Sequence, residues 1–242
     1  MDVGARLVRA LSLGTVVLTA ALVSACTTTI AGAPAANPSF RAPSSSVPPP
    51  ASPTSTTVPA PPPTVPGWQV VVADKDGVAY DVPPDWKVQT PDDVRGFDGQ
   101  QGSPEVTMNY VATDKDGFCA DDPSGSRAET GVTSTSTVDP GQAASTTAQN
   151  WANDAFDNAT TTAGAPQPIT VGGDSGMMVR DTLVVHSSDS CTPPAAEIDV
   201  VALPLAQAAN GCGLFILFAD QGTPDSAPAA EFPQIINSLR SD

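Results

Sequence analysis

Hydrophobic and polar positions fall into three regimes along the 242 residues. The first is one apolar run, Leu11 to Val23, broken only by Ser12, Gly14, Thr15 and Thr19. The second, Thr27 to Pro66, has no periodicity. The third, Gly67 to Asp242, carries the periods of strands and helices. Trp68 to Val72 reads as a strand, Asp76-Gly77 as a turn, and Val78 to Val82 as a second strand stopped by Pro83-Pro84. Trp86 and Val88 mark a short extended piece. Glu105 to Ala112 alternates, placing Val106, Met108 and Tyr110 on one face. Asp139-Pro140 is an N-cap followed by a residue pre-set for a first helical turn. Ala144, Ala148, Trp151 and Ala155 then form one helical stripe, with Phe156 beside it. Pro166 to Val171, Gly176 to His186 and Glu197 to Leu205 read as strands, and Gly213 to Ala219 as a strand buried on both faces. Phe232, Ile235, Ile236 and Leu239 predict a C-terminal amphipathic helix.

Strands cluster between turns without regular strand–helix alternation, which favours an α+β fold: an antiparallel sheet with helices on one face. An all-β sandwich leaves the two helical stripes unexplained. The expected organisation is a signal peptide over residues 1–25, a lipidated Cys26 with a disordered Pro-rich tether over 26–66, and a globular α+β domain over 67–242.

The apolar run is too short for the ~20 residues of a spanning helix and suits a signal core, with Arg6 and Arg9 as its positive flank. It closes on Leu22-Val23-Ser24-Ala25-Cys26, which resembles the bacterial lipobox. That resemblance implies a mature chain beginning at Cys26 with diacylglycerol on its sulfur. Two or more acyl chains give durable anchoring, so the expected address is the extracytoplasmic face of a cell membrane. The tether is almost wholly Thr, Ser, Ala, Pro and Val, with Pro48-Pro49-Pro50 and Pro61-Pro62-Pro63. It buries too little to offset its ordering entropy and favours polyproline II at ~3.1 Å per residue.

Loss of residues 1–25 leaves 8 Lys+Arg against 25 Asp+Glu, a formal charge near −17. Such a balance argues against nucleic acid and anionic lipid headgroups as partners, because both need a positive patch. Three cysteines follow Cys26. Cys119 and Cys191 lie in polar, turn-rich stretches, whereas Cys212 opens the most apolar run. Loops accept the geometry of a bridge more readily than a central strand, so the expected disulfide is Cys119–Cys191. Closing a loop of about 70 residues contributes around 4 kcal/mol on the chain-entropy account. Cys212 is left as a buried thiol.

Tyr80-Asp-Val-Pro-Pro-Asp-Trp86, the segment from Cys119 to Ser126-Arg127-Ala128, and Ile235-Ile-Asn-Ser-Leu-Arg240 resemble domains of actinobacterial envelope proteins. More distantly, this opening, the long helix, the antiparallel strands and the terminal helix are similar to PsbP-like lipoproteins, including mycobacterial Lpq-type members. The resemblance implies a PsbP-like α/β/α sandwich and a scaffold or binder, and it carries over no catalytic residue.

Motifs of reactive chemistry do not assemble. Gly173-Asp174-Ser175-Gly176 has the nucleophile pattern of chymotrypsin-like proteases, which place their histidine early in the chain. The single histidine here, His186, follows Ser175 by eleven residues, the opposite face of a strand and ~36 Å away. A hairpin tip explains the four residues better, and a strand-edge role explains His186 better than a pair with Cys212. The Cys and His spacings match no zinc pattern. Asp74-Lys-Asp-Gly77 and Asp114-Lys-Asp-Gly117 lack the later ligands of a calcium loop and suit Asp-Gly turns. Asp92-Asp93 and Asp121-Asp122 are adjacent carboxylates, not facing ones. Trp68, Trp86 and Trp151 fit core anchors. No catalytic residue, metal or cofactor is expected, and ligand-binding residues are left unassigned. The functional expectation is a non-enzymatic lipoprotein whose Phe, Trp and Met side chains line a modest pocket between sheet and helix for an apolar or lipid-like ligand. The alternative is an interaction module docking on another envelope protein; an envelope hydrolase lacks a base and a nucleophile.

Overall fold

A computed structural model describes residues 61–99, 106–187, 189–204 and 211–241. The chain divides into two units, Met1–Ser55 and Thr56–Asp242, and the described residues belong to the second. The expected signal peptide, the expected lipidation at Cys26 and the expected tether as far as residue 60 lie outside them.

The opening hairpin, β1 (Gln69–Ala73) and β2 (Val78–Val82), pairs antiparallel around a turn in which Gly77 takes φ 64°. Two short strands, β3 (Lys87–Val88) and β4 (Arg95–Phe97), flank in tandem one edge of β5 (Val106–Asp114). Then come β6 (Ala128–Thr135), α1 (Pro140–Ala155), β7 (Ala159–Thr162) and β8 (Gln167–Val171). The last elements are β9 (Asp174–Val185), β10 (Ala195–Pro204), β11 (Cys212–Gln221), α2 (Phe232–Asn237) and β12 (Arg240–Ser241). The large sheet runs β3-β5-β6-β11-β10-β9-β7, with β4 also on β5 and β8 also on β9; β1-β2-β12 form a small second sheet. Every ladder among the described residues is antiparallel, as the sequence predicts.

Helix α1 begins where the Asp-Pro pair places it: the Asp139 side chain accepts from the Gln142 N–H at 2.7 Å. Its buried stripe of Ala143, Ala144, Ala148, Trp151 and Ala152 lies on one face of the large sheet, against Met108, Val179, Leu183, Ile198, Val200 and Ile216. The other face packs Tyr110, Val201, Phe215 and Leu217 against the small sheet and against Phe232, Ile235, Ile236 and Leu239 of the C-terminal segment. The two helices therefore lie on opposite faces, as in the expected α/β/α sandwich, and not on one face as the order of strands and helices suggests. The small sheet is the reason, since it covers the second face together with α2.

The expected single face of Val106, Met108 and Tyr110 is also corrected. Val106 and Met108 face α1, but a register shift between Asn109 and Ala112 turns Tyr110 and Ala112 to the other face. Tyr110 takes φ 52° in this bulge, a left-handed conformation that costs a non-glycine residue about 1–2 kcal/mol. Side-chain hydrogen bonds over-determine it. Tyr80 Oη donates to the Tyr110 carbonyl at 2.6 Å, and Tyr110 Oη donates to Asp74 Oδ1 at 2.7 Å. Opposite the bulge, Gly131 leaves room for Met108: a Cβ there would meet Met108 Cγ and Sδ at 2.8 Å.

The ordered unit also starts before Gly67. Asp81, fully buried, accepts from Thr64 N at 2.6 Å, Thr64 Oγ1 at 2.7 Å and Val65 N at 2.9 Å, and from Arg240 Nη1 at 2.9 Å. One carboxylate thereby ties the chain entering the domain to the chain leaving it.

Tyr80→Phe is expected to lower unfolding free energy by about 1–3 kcal/mol, because it strips the buried Tyr110 carbonyl of its donor. Urea unfolding measures this, and an unchanged midpoint would show that the bulge is held by other contacts.

Candidate functional site

The strands outrun α1. The helix ends at Ala155, and Phe156 leaves it in extended conformation at φ −143°. Beyond that point the same sheet face carries a pocket of about 1060 Å³. Its walls come from separate segments: Phe97 of β4, Phe156, Phe218 of β11, Phe118 and Cys119 of the turn after β5, and Thr192-Pro193 before β10. Phe97 and Phe218 meet edge to face at 5.7 Å, and Phe156 lies 6.0 Å from Phe218. The expected pocket between sheet and helix, lined by Phe, Trp and Met, is thus displaced. Beneath α1 the space is filled by Trp151 and Met108, and the opening beyond the helix is lined by Phe and carboxylates.

Glu129 lies among these lining groups. It stands on β6 between two cross-strand partners, Phe218 on β11 and Thr113 on β5, and is 7% exposed. Ser126 Oγ donates to Oε2 at a long 3.4 Å, and no donor among the described residues reaches Oε1. Burial pushes its carboxyl up to about 7, against the pull of the Arg95 charge and the Ser126 hydroxyl. A second acid, Asp220, follows Phe218 by two residues and lies on the same face. Burial raises it to about 6, against the pull of Arg127.

The two guanidiniums near the pocket are already committed. Arg127, buried, donates from Nη1 to Asp220 at 3.0 Å and from Nε to Asp225 at 3.1 Å, and lies 3.8 Å over the Phe118 ring. Arg95 donates from Nη2 to Asp116 at 2.8 Å and from Nη1 to the Ser124 carbonyl. Although burial pushes Asp116 up, hydrogen bonds from Lys87 and Gln89 and the Arg95 charge hold it below its ordinary value. The rim adds Asp93, Asp121, Asp122 and Asp189.

The expected disulfide is present. Cys119 and Cys191 are bonded with Cα atoms 5.7 Å apart, closing a separation of 72 residues. It fastens the turn that carries Phe118 to the segment before β10, so both sides of the pocket mouth are held. Cys212 is free and buried at the start of β11, its thiol pushed up by burial and 3.8 Å from the Val138 carbonyl. Asp121 gathers with Cys119 and Cys191, the one such grouping among the described residues. Two sulfurs bonded to each other offer no thiolate to a metal.

Ser175 is the second residue of β9, paired with Thr170 just beyond the Gly172-Gly173 turn, and His186 follows the far end of the strand. Cys212 sits at the opposite end of the sheet from His186, since β10 pairs Pro204 with Cys212 but Ala195 with Val184. The ring of His186 meets Thr160 Oγ1 on edge strand β7 at 3.1 Å. Ser175, His186 and Cys212 therefore form no reacting group. Asp76-Gly77 and Asp116-Gly117 sit in turns as expected, and Asp116 is occupied by the protein's own cations. Asp93 accepts from Thr90 N, and Asp122 from Ser124 N and Oγ, both local turn bonds. Trp86 and Trp151 are buried, and Trp68 packs against the core. No sequence signal marks Glu129, Arg95 or Arg127 as site residues: the alternation of β6 puts Ala128 and Val132 on the apolar face and Glu129 on the opposite one.

A family model described as "Domain of unknown function (DUF8017)" matches residues 61–242, and the chain belongs to that family. No curated protein is significantly similar to it in sequence. Among solved structures it is similar to cyanobacterial PsbP (CyanoP) from Synechocystis sp. PCC 6803. Identity is 10% and the TM-score 0.44, covering 77% of this chain and 99% of that one.

The raised carboxyls set a pH dependence. Glu129 holds its proton to about pH 7 in the fold but only to its ordinary 4.5 when unfolded. The folded form thus binds more protons in between, and stability falls as pH rises through that window. Glu129→Gln is expected to match the parent near pH 4.5 and to exceed it near pH 8 by on the order of 3 kcal/mol. Denaturant unfolding at both pH values reads this out. Parallel curves for the two proteins would contradict it.

Proposed function

We propose that this DUF8017 chain is a non-enzymatic binding module, held by lipid on Cys26 at the outer face of a cell membrane, with its ligand seated beyond the end of α1. The observation that carries the reading is the pocket itself: about 1060 Å³, walled by four phenyl rings, with the largely buried Glu129 carboxyl in its lining. Binding sites are typically concave, with apolar walls and placed polar groups, and this one sets phenyl rings beside carboxylates. The rims are fixed by the disulfide and by Arg127, so the site is pre-formed, which lowers the ordering cost of binding. The anchor rests on Leu22-Val23-Ser24-Ala25-Cys26 after an apolar run preceded by Arg6 and Arg9. Among the described residues no helix is long and apolar enough to cross a membrane. The ligand is amphipathic rather than purely apolar, because Glu129, Asp220 and the rim acids share the lining with the rings.

Two measurements test this. Cys26→Ala is expected to move the protein from membrane to culture medium, followed by fractionation and immunoblot; retention on the membrane would refute the lipid anchor. Native mass spectrometry of the protein extracted from its own membrane is expected to show a small-molecule adduct. Ala155→Trp, which projects an indole into the opening beside Phe156, is expected to remove it while the melting temperature holds. An adduct that persists in the variant, or none in the parent, would sink the pocket reading.

A further inference from the structure

We infer that the pocket beyond α1 selects an organic ammonium ion, with Glu129 as the carboxylate that receives the cationic head and the phenyl rings as the walls that receive its apolar body. This rests on the binding-module reading above and names the ligand class of that same site.

The argument begins with which charges are spoken for. Asp220 is matched by Arg127, and Arg95 by Asp116, each in an ion pair of 3.0 Å or less. Neither guanidinium makes a hydrogen bond to Glu129. A ligand carboxylate or phosphate would have to break these pairs and face an acidic rim. Glu129 is the pocket's buried acid without a cation bonded to it: among the described residues no donor bonds its Oε1, its Oε2 has one long contact, and the residue lines the pocket. A buried charge in that condition is costly, and a cation arriving in the pocket removes the cost.

The surroundings decide which kind of cation. A divalent metal takes six or more oxygen ligands, or an octahedral set of them. Next to Glu129 stand Phe218 on one side and Thr113 on the other, with Phe97 and Phe156 packed on Phe218. Despite the other carboxylates of the pocket, Glu129 belongs to no group of three ligating side chains close enough to share an ion among the described residues. Ring faces beside a carboxylate do suit an ammonium group, which gains a charge-assisted hydrogen bond and cation–π attraction together. The volume admits a body well beyond the head group, and the rim carboxylates Asp93, Asp121, Asp122 and Asp189 favour the approach of positive charge.

Titration links the site to pH. The charged groups facing Glu129 are Arg95 from β4, Asp220 from β11 and Asp116 from the turn after β5, with Arg127 behind Asp220. Because burial places the carboxyl at about 7, cation binding requires a proton to leave as pH falls below that value. Affinity for an amine should therefore rise with pH across neutrality, whereas affinity for its uncharged counterpart should not.

The test uses the full chain and calorimetric titration with phenylbutylamine and phenylbutanol, which differ in the head group alone. The expected result near pH 8 is that the amine binds about tenfold more tightly. That advantage should shrink about tenfold near pH 6, and Glu129→Gln should abolish it while melting stays cooperative. Amine and alcohol binding equally, with both blocked by Ala155→Trp, would overturn the ammonium inference and leave the binding pocket standing. An amine advantage that survives Glu129→Gln would overturn the role of Glu129. Failure of both probes to bind at millimolar concentration would overturn the inference and the pocket reading together.

Discussion

The end of the sheet that forms the pocket depends on one buried guanidinium. Arg127 sits just before β6, where its backbone carbonyl accepts from Asp220 N at 2.7 Å, so main chain and side chain both bind the end of β11. From there its side chain reaches Asp225 in the following turn, the Cys191 carbonyl at the disulfide, and the face of Phe118. Four separate segments converge on one planar, permanently charged group. Lysine has neither the fork nor the flat face to do this. Buried ion pairs seldom add net stability over apolar packing, but breaking one strands a charge at a cost of about 3–5 kcal/mol. Arg127 is therefore better understood as fixing the pocket's shape than as strengthening the core.

The disulfide and Arg127 act on the same neighbourhood by different means. The bond between Cys119 and Cys191 removes freedom from the unfolded chain and holds two loops within covalent reach. Arg127 then sets the direction of the turn that the bond has captured, because Phe118 is stacked on it next to Cys119. Asp81 does similar work on the opposite face, gathering Thr64, Val65 and Arg240 where the chain enters and leaves. In each case a charged group with several partners stands where loops, not strands, must be placed.

Much of the fold was legible because its signals are local. The Asp139-Pro140 cap, the alanine and tryptophan stripe, the apolar run of β11 and the glycine turns each act within a few residues of themselves. The pairing of Cys119 with Cys191 was legible for a related reason, since both sit in turn-rich sequence and Cys212 does not. Tyr110 was not legible. Its alternation with Val106 and Met108 is real in sequence, but a bulge stabilised by Tyr80, thirty residues earlier, sends it to the other face. The short strands Arg95–Phe97, Ala159–Thr162 and Arg240–Ser241 and the longer Ala128–Thr135 were missed, for they carry few large apolar residues and borrow order from their neighbours. Glu129 was invisible as a site residue for the deepest reason: a lone acid in a strand gains meaning only from the rings that surround it, and these come from distant parts of the chain.

Why a pocket exists there at all follows from lengths. Sixteen helical residues span ~24 Å, while the ten residues of β11 span ~33 Å and the twelve of β9 more. A helix that starts beside Cys212, where the Val138 carbonyl meets its thiol, covers one end of the sheet and stops short of the other. Phe218, Glu129 and Asp220 lie on the part left uncovered. An apolar face in that position would need another helix above it. Here the uncovered length is split between a phenylalanine that the helix end shields and two acids that it does not, and β4 and the disulfide-bound loops enclose the space without filling it. The opening is thus a product of the mismatch between strand and helix, kept from collapsing by a bond and an ion pair on its rim. Its buried acid is the part that closer packing would not retain, since burial disfavours the charged form of a carboxyl and a carboxyl contributes little to an apolar core.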